Sequence, residues 1–401
     1  MNKYYDVGII GAGASGMFTA LKLSQKGLKV LVLEGNAKPC KKLLATGNGK
    51  CNLCNTNINL SNFHGDTNEI SILINKFKSE NITKEFEALG IFTFEDSEGR
   101  IYPKSLQASS VARAICDCAS ENKCEIICDF TVTKIQKDKD LFTIYSDNKA
   151  IICKSLVVAT GSPATPKLSC KSEINSIIKN FGHKFIDFTP SLTAFMINDK
   201  MLKNLAGVRS KARVSILKNN KTIYSENGEI IFSDKSISGI CIFNLSSRYE
   251  KKQVLHIDLL PEKTDLELYE ILVKTCKNRP KMSSADVLNG LLNMKLGLEL
   301  IKKIGIDFKN TANNISDIQL KKLAYLTKNL KFEIDNIASL ENAQVAKGGV
   351  PLAEIDMNTM QSKIVPHLYF TGEILNINGD CGGYNLYFAW ATAIALSENF
   401  V

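Results

Sequence analysis

The first residues of the chain follow the pattern of a strand, a helix and a second strand. Residues 7–10 form an apolar run typical of a buried parallel strand. Apolar residues then recur at helical spacing from Met17 to Leu23, and Gly27 marks the end of this helix. Residues 29–33, a lysine followed by four apolar residues, are expected to form a second strand. The pattern therefore predicts a β-α-β unit at the start of the chain.

Three glycines with G-x-G-x-x-G spacing, Gly11, Gly13 and Gly16, lie between the first strand and the helix. The first permits a tight turn, the second lets the backbone approach a pyrophosphate, and the third lets helix and strand pack closely. The helix N-terminus, with Ala14 and Ser15, offers unpaired N–H groups to phosphate oxygens. A dinucleotide site is therefore predicted at this turn.

Glu34 ends the second strand, where its carboxylate can accept hydrogen bonds from a ribose diol and would repel a 2′-phosphate. Two later apolar runs, residues 155–161 and 368–373, also end in small residues, and an apolar helix is expected at about residues 388–396. Both ends of the chain thus predict one doubly wound sheet. A ligand that contacts segments from both ends of the chain must be large, and this favours FAD over NAD.

The pattern changes between these two parts of the sheet. Short β-type runs with Gly and Asn turns are followed by leucines at spacings of three and four, as in helices. No second G-x-G-x-x-G occurs, so a dedicated NAD(P)H domain is not indicated. We predict an α/β fold in which a discontinuous Rossmann-like FAD-binding domain (1–188 and 345–401) is interrupted by a β-barrel-like, β-rich unit (189–260), a helical unit (261–328) and return strands (329–344).

The composition is that of a globular protein without a membrane-spanning segment. The 401 residues are 44% hydrophobic and 23% charged, as in ordinary globular proteins, and no apolar run reaches the roughly 18 residues of a membrane span. The start of the chain has no cleavable signal pattern, and the twelve cysteines are scattered. Cys51 and Cys54 form the only C-x-x-C pair. We therefore expect a cytoplasmic, reduced protein with no membrane contact and no metal site.

Charge is distributed unevenly along the chain. The net charge is +9, and residues 191–343 hold 24 Lys and Arg against 17 Asp and Glu, an excess of seven. The basic residues cluster around Arg209–Lys218 and around residues 274–281. A solvated lysine-rich surface explains this excess, and so does a surface for a polyanion such as RNA.

Four segments of the chain resemble the BaiN/YhiN-like FAD-dependent oxidoreductases, a family in which some members are labelled aminoacetone oxidases. The segments are GAGASG with Glu34, KKLLATGNGKCNLCN at residues 41–55, residues 346–373, and GDCGGYNLYFAWATA at residues 379–393. The second and fourth segments are specific to that family. The resemblance covers essentially the whole chain and implies the discontinuous FAD-binding domain described above.

The resemblance also assigns residues to parts of the cofactor. The ADP half would contact Gly11, Gly13, Ala14, Ser15, Gly16 and Glu34; the pyrophosphate and ribityl chain would contact Ala159, Thr160, Gly161, Gly372 and Glu373; further cofactor contacts would come from Lys42, Gly47, Gly49, Lys50, Cys51 and Asn52, and from Gly382, Gly383, Tyr384 and Asn385 near the isoalloxazine.

The chain departs from the family pattern at several positions. Lys50 stands where Arg is usual, and a Lys cannot form the bidentate fork of a guanidinium. Cys54 replaces a usual Thr, and Cys381 replaces a small hydroxyl residue. Residues 167–173 replace a Gly-rich acidic turn, so no family contact is transferred to them.

A flavin supplies redox chemistry, and the protein must supply placement and a proton. Cys51 is the first candidate for the acid, because the neighbouring Lys50 is expected to favour a thiolate. Tyr384 and Cys381 are the next candidates. Either Lys50 or Lys42 could stabilise reduced flavin by its charge. His64 and His367 are interpreted as surface or hydrogen-bonded histidines.

Three functions remain open. The first, implied by the resemblance, is an NAD(P)H-driven flavin reductase that converts uridine to dihydrouridine in large-subunit ribosomal RNA and binds this RNA through the basic insert. The second is a small-molecule oxidoreductase for bile-acid-type ring reduction or amine oxidation. The third is a non-catalytic flavin-binding redox module.

Overall fold

The computed structural model describes residues 4–147, 149–168 and 174–400. Within the segment 167–173, at which the sequence departs from the resembled family, residues 169–173 therefore lie outside the described residues.

Strands and helices alternate at both ends of the chain, and long antiparallel strands occupy its middle. The strands are β1 Tyr4–Ile10, β2 Val30–Leu33, β3 Cys54–Asn55, β4 Phe63–Gly65, β5 Thr93–Glu95, β6 Arg100–Pro103, β7 Glu125–Ile127, β8 Lys134–Asp138, β9 Leu141–Ser146, β10 Lys149–Val158, β11 Ile186–Ser191, β12 Phe195–Met196, β13 Arg209–Lys218, β14 Lys221–Ser233, β15 Ser236–Ser238, β16 Val254–Asp258, β17 Leu330–Glu333, β18 Asn336–Ile337, β19 Val345–Gly349, β20 Ile355–Asp356, β21 Gln361–Ser362, β22 Leu368–Phe370 and β23 Ile377–Gly379. The helices are α1 Ala14–Gln25, α2 Lys41–Ala45, α3 Ser71–Lys76, α4 Ser79–Ala88, α5 Ala108–Glu121, α6 Ile174–Asn180, α7 Lys200–Leu205, α8 Ile240–Ser246, α9 Asp265–Asn278, α10 Met294–Ile304, α11 Asp317–Lys328 and α12 Tyr384–Glu398.

The chain divides into two compact units. Described residues up to 191 and from 343 onward form the first unit, and residues 192–342 form the second. Residues 189–191 were expected in the insert, but they belong to the first unit because β11 pairs with β19. Residues 343 and 344 lie in the first unit as well.

The main sheet of the first unit has the strand order β20-β21-β22-β10-β1-β2-β7. The strands from β22 to β7 are parallel, whereas β20 and β21 extend the sheet antiparallel to β22. Apolar residues of β1 and β2 are buried on both faces, as the continuous apolar runs predicted. The α/β class with a central parallel sheet is confirmed.

Helix α12 is longer than the sequence pattern suggested, and it begins at Tyr384. Almost all of its residues are buried, which explains why its sequence is apolar all round. The fully buried Trp390 donates a hydrogen bond from Nε1 to the carbonyl oxygen of Leu53, 3.0 Å away. This bond ties the end of the chain to the segment that precedes β3.

The second unit contains an antiparallel seven-stranded sheet with the order β17-β16-β13-β14-β15-β12-β18. Buried side chains from these strands and from α7 to α11 form one hydrophobic core. The β-rich and helical parts of the insert therefore share a core. Within the described parts of the chain, every helix is too short or too polar to cross a membrane.

Candidate functional site

The turn after β1 brings three chain segments close together. Gly11 has a φ of +102°, and a Cβ there would lie 2.5 Å from the carbonyl oxygen of Ala159. A Cβ on Gly16 would collide with the carbonyl oxygen of Gly11 and lie 3.1 Å from the Cβ of Ala159. The first and third glycines are therefore required for packing of the turn against the end of β10.

Gly13 differs from its two neighbours in the motif. It precedes α1 with an ordinary φ of −78°, and a Cβ there would meet no protein atom within 4 Å. Open space therefore lies beside the backbone at the start of a 12-residue helix, whose first N–H groups have no partner within the helix. This is the geometry that a pyrophosphate requires.

Glu34 is 7% exposed at the end of β2. Its Oε2 accepts a hydrogen bond from the backbone N–H of Ala12 at 2.7 Å, and its Oε1 accepts two from Asn36, at 2.8 Å from N and 2.7 Å from Nδ2. Because each carboxylate oxygen can accept two hydrogen bonds, Oε2 retains room for a ribose hydroxyl. The carboxylate is thus held beside the phosphate turn.

A second polar group lies where β10 and β22 end. Glu373 forms an ion pair with Lys42, with 2.8 Å between Oε2 and Nζ. Its Oε1 accepts hydrogen bonds from Ser162 Oγ at 2.7 Å and from the N–H of Ala346 at 3.2 Å. A Cβ on Gly161 would meet only Glu373, at 3.9 Å. Lys42, which the resemblance listed apart from Gly161 and Glu373, therefore shares one site with them.

Two threonines near this group have buried hydroxyls. Among the described residues, neither Thr160 Oγ1 nor Thr371 Oγ1 has a hydrogen-bond partner. Gly372 packs against Ser15, and the Ser15 hydroxyl donates a hydrogen bond to the carbonyl oxygen of Thr371 at 3.3 Å. Thr371 was not predicted, although its place at the end of a parallel strand was a usable signal.

The two family-specific segments meet at the start of α12. A Cβ on Gly383 would collide with the carbonyl oxygen of Cys54 and lie 2.7 Å from Asn52 Oδ1, and Asn55 Nδ2 donates a hydrogen bond to the Gly382 carbonyl at 3.0 Å. Asn52 Oδ1 is buried and has no hydrogen-bond partner within the part of the chain that the structure describes. The segment at residues 41–55 and the loop before α12 thus form one polar wall.

Local backbone geometry shapes both segments. Gly47 and Asn48 have left-handed φ values of 57° and 55° in the turn Thr46–Gly49, and a Cβ on Gly49 would meet open space. The amide of Asn385 closes the second loop, because its Oδ1 accepts from the N–H of Gly379 and its Nδ2 donates to the same residue's carbonyl, both at 2.8 Å. Asn385 therefore has a structural task besides its predicted cofactor contact.

These features fit FAD. The open space at Gly13, the carboxylate of Glu34 and the partnerless oxygens of Thr160, Thr371 and Asn52 extend from the phosphate turn to the start of α12. Buried polar atoms normally have partners, so a polar ligand is the simplest explanation for several such atoms along one path. The individual contacts assigned to each residue remain predictions.

Cys51 does not have the environment that its neighbour Lys50 suggested. Its side chain is fully buried, whereas Lys50 is exposed. Burial raises the pKa of the Cys51 thiol to about 12, and a hydrogen bond with the Thr46 side chain offsets this only in part. The expected thiolate is therefore wrong, because loss of solvent outweighs a neighbouring charge that remains in water.

The other two candidate acids lie in the loop before α12 and at its first residue. Tyr384 is largely buried, and its ring contacts the ring of Phe63 edge-on with centroids 6.0 Å apart. Cys381 is partly exposed, and its Sγ lies 3.8 Å from Oε1 of Gln344, a residue that the sequence did not single out.

A histidine–carboxylate pair adjoins the same loop. His64 on β4 places Nε2 2.8 Å from Oδ1 of Asp380, which is 6% exposed and immediately precedes Cys381. Strand β4 pairs with β23, which brings residues 316 positions apart into contact. The interpretation of His64 as a hydrogen-bonded histidine is correct in geometry, but its partner could not be read from the sequence.

The basic residues of the second unit are partly paired. Arg209 and Lys218 form surface ion pairs with Glu229 and Glu250, at 3.2 Å and 2.7 Å. Among the described residues, no group of three His, Cys, Asp or Glu side chains could hold a metal ion.

Comparison with known proteins places this site in context. The family model of the HI0933-like protein Rossmann domain matches residues 5–399. A 3-dehydro-bile acid delta(4,6)-reductase of Clostridium scindens is 31% identical over 96% of this chain and 96% of its own length. Ribosomal RNA dihydrouridine synthases of Escherichia coli and Haemophilus influenzae are 26% and 28% identical, over 99% and 98% of this chain and 98% of their own lengths.

Proposed function

Because the chain belongs to the HI0933-like Rossmann-domain family and is therefore an FAD-dependent oxidoreductase, we propose that it reduces a carbon–carbon double bond. The substrate that we propose is a uridine of large-subunit ribosomal RNA, the product is dihydrouridine, and the electrons come from NAD(P)H. The protein would act in the cytoplasm, where this RNA is found.

The observation that carries the proposal is the full-length similarity to two proteins named ribosomal RNA dihydrouridine synthase. These alignments include residues 192–342, the unit that lies outside the FAD-binding fold. That unit holds most of the excess positive charge, with 24 Lys and Arg against 17 Asp and Glu over residues 191–343. Such a surface gains free energy from phosphate backbones through release of counterions.

In this reaction the protein must hold the cofactor, orient the reacting groups and deliver a proton. Gly13, Glu34 and the hydroxyls of Thr160 and Thr371 would hold the cofactor. Bound FAD, once reduced, supplies the hydride that is added to one carbon of the double bond. The wall formed by Asn52 and Gly383 would lie beside the isoalloxazine and fix its orientation.

A proton must reach the other carbon of the double bond. Cys51 is poorly placed to deliver it, because its side chain is fully buried. His64 is a better candidate, because an imidazole ring nitrogen can hold a proton and Asp380 fixes the orientation of the ring through a 2.8 Å hydrogen bond. Tyr384 and Cys381 remain the alternative acids in this loop.

A second candidate function is reduction of a conjugated ring in a small molecule of the bile-acid type. It is favoured by the 31% identity to the Clostridium scindens reductase. Both candidate reactions add hydrogen to a carbon–carbon double bond conjugated to a carbonyl group. They therefore demand the same hydride and proton from the protein and differ in the substrate that the surface admits.

The test of the proposed function is mass spectrometry of ribosomal RNA from a strain that lacks this gene. We expect one dihydrouridine to disappear from large-subunit RNA and to return when the wild-type gene is restored. Restoration with the Gly13→Val variant should not return it. An RNA profile that is identical with and without the gene would reject the RNA substrate.

A further inference from the structure

A small antiparallel sheet in the first unit carries aromatic side chains on its outer face. Strands β5 and β6 pair so that Phe94 lies directly opposite Tyr102. The two rings stack with centroids 6.0 Å apart and planes inclined by 29°, and both side chains are partly exposed. The pair therefore forms a partly exposed aromatic surface on this face of the sheet.

Strand periodicity extends this surface and separates it from the core. Ile101, next to Tyr102 on β6, is 4% exposed and pairs with Cys54 of β3 on the buried side. Phe92, two residues before Phe94, is 66% exposed. Its carbonyl accepts a hydrogen bond from the N–H of Lys104, so the pairing continues beyond β5 and β6. Residues two apart share a face of a strand, so continuation of this pairing places Phe92 on the same face as Phe94 and Tyr102.

The surface adjoins the wall predicted for the flavin. The Cε1 atom of Tyr102 lies 3.5 Å from the position that a Cβ would occupy on Gly47, in the turn Thr46–Gly49. The exposed Lys50 follows this turn. A planar group that rests on Tyr102 would therefore lie beside the loop that carries Asn52.

Charge on this face suits a phosphate backbone. Neither Lys50 nor Lys104 has an ion-pair partner among the described residues, and both are exposed. At the far end of the hairpin, Arg100 lies 2.8 Å from Asp96 and 3.0 Å from Glu98, and Glu95 accepts a hydrogen bond from Thr56 Oγ1 on the opposite face from Phe94. Lys50 and Lys104 therefore place two unpaired positive charges beside the aromatic surface, while the carboxylates of the hairpin lie at its far end or on its other face.

We propose that Phe92, Phe94 and Tyr102 form a stacking platform for unpaired bases of single-stranded RNA, with Lys50 and Lys104 at the backbone phosphates. The inference rests on the proposed function, because it names the surface that would present the RNA to the flavin site. Single-stranded RNA is recognised by stacking of splayed bases on aromatic side chains. A bile-acid substrate, even with conjugated ring double bonds, contains no aromatic ring and offers no aromatic face for such stacking.

The test measures binding of a fluorescently labelled single-stranded oligouridylate to the FAD-loaded full-length protein by anisotropy. We expect Tyr102→Ala and Phe94→Ala to weaken binding about tenfold, since one stacked base contributes this order of affinity. Tyr102→Phe should retain most of the affinity, because the ring remains. The matched control is Tyr4→Ala, which removes a Tyr that is 40% exposed at the start of β1 in the first unit, and it should leave binding unchanged.

A replacement variant and a salt titration keep the proposal testable if one variant fails to fold. If Tyr102→Ala does not fold, as judged by its FAD content, Phe92→Ala replaces it, because that side chain is already 66% exposed. Lys104→Gln should reduce the slope of log affinity against log salt by about 0.7, the value for one phosphate contact on a single strand. Absence of oligouridylate binding by the wild type, or equal binding by wild type and all alanine variants, would overturn the platform.

Failure of the platform and failure of the proposed function give different results. Tyr102-dependent binding with an unchanged ribosomal RNA profile would support the platform and reject the RNA reaction. If dihydrouridine is lost in the deletion strain but oligouridylate binding does not depend on Tyr102, the stacking platform is overturned and the proposed function is supported.

Discussion

At the scale of single residues, the open space beside Gly13 is the feature on which cofactor binding depends. Gly11 and Gly16 are surrounded by protein atoms, so substitution there would disturb the fold itself. A larger side chain at Gly13 would meet no protein atom within 4 Å of its Cβ. Substitution at this one glycine can therefore separate ligand binding from folding.

We predict that Gly13→Val purifies as a folded protein with less than about a tenth of the wild-type FAD, because the side chain occupies the space needed by the pyrophosphate. Flavin absorbance after heat release measures the content, and circular dichroism measures folding. Gly290→Val is the control, since Gly290 also has no atom within 4 Å of its Cβ and lies in the second unit. Full occupancy in Gly13→Val would contradict the assigned pyrophosphate position.

Cysteine reactivity tests the corrected view of Cys51. The pKa of this buried thiol is raised to about 12, whereas a hydrogen bond from Cys40 lowers the pKa of the partly exposed Cys116. Since the thiolate is the reactive form, iodoacetamide at about pH 8 should label Cys116 well before Cys51. Peptide mass spectrometry over time gives both rates. Equal rates would restore Cys51 as a reactive group.

The sequence predicted these residues unequally well. Gly13 and Glu34 could be placed because their roles depend on short-range spacing along one β-α-β unit. Cys51 could not, because its protonation depends on how much solvent the folded chain removes. The pair of His64 and Asp380 depends on contact between β4 and β23, which no local pattern encodes.

At the scale of elements, β10 joins the two ends of the FAD-binding fold, since it pairs with β1 on one side and with β22 on the other. Its Cys153 is fully buried, and a Cβ on Gly8 would lie 2.8 Å from the Cys153 sulfur. Burial raises the pKa of the Cys153 thiol from 9.0 to about 12. The central strand β10 therefore contains a thiol that ionises less readily in the folded protein than in the unfolded chain.

This raised pKa predicts a loss of stability in alkali. A group whose pKa is higher in the folded state stabilises the fold fully below about pH 9, and this contribution is lost as the pH rises toward 12. Between pH 8 and 10 the wild type should lose about 1.4 kcal/mol more free energy of unfolding than Cys153→Ala. Urea denaturation at the two pH values measures the difference. An identical pH dependence of the two proteins would contradict a titrating Cys153.

Element boundaries show what local patterns can and cannot determine. The parallel strands of the first unit were predictable because both of their faces are buried, which yields continuous apolar runs. The start of α12 was placed too late, because the left-handed Gly383 and the Asn385 clamp before its apolar stretch carry no periodic signal. Residues 189–191 were misplaced because β11 finds its partner β19 about 160 residues later.

At the scale of the whole molecule, the two units would have different roles in the proposed reaction. The first unit contains the path from Glu34 to Gly383 and the aromatic face around Tyr102. The second unit holds most of the excess positive charge. The sequence placed RNA contacts only in this basic unit, because charge can be counted from composition, whereas an aromatic face becomes visible once β5 and β6 are paired.

The measurement that tests the central claim most directly is a single turnover without oxygen. The FAD-loaded protein is first reduced and then mixed with large-subunit ribosomal RNA from the deletion strain. We predict that the absorbance of oxidised flavin returns while dihydrouridine forms in equal amount. A flavin that stays reduced with this RNA, but is reoxidised by a conjugated bile-acid ketone, would contradict the RNA substrate and establish the small-molecule reaction.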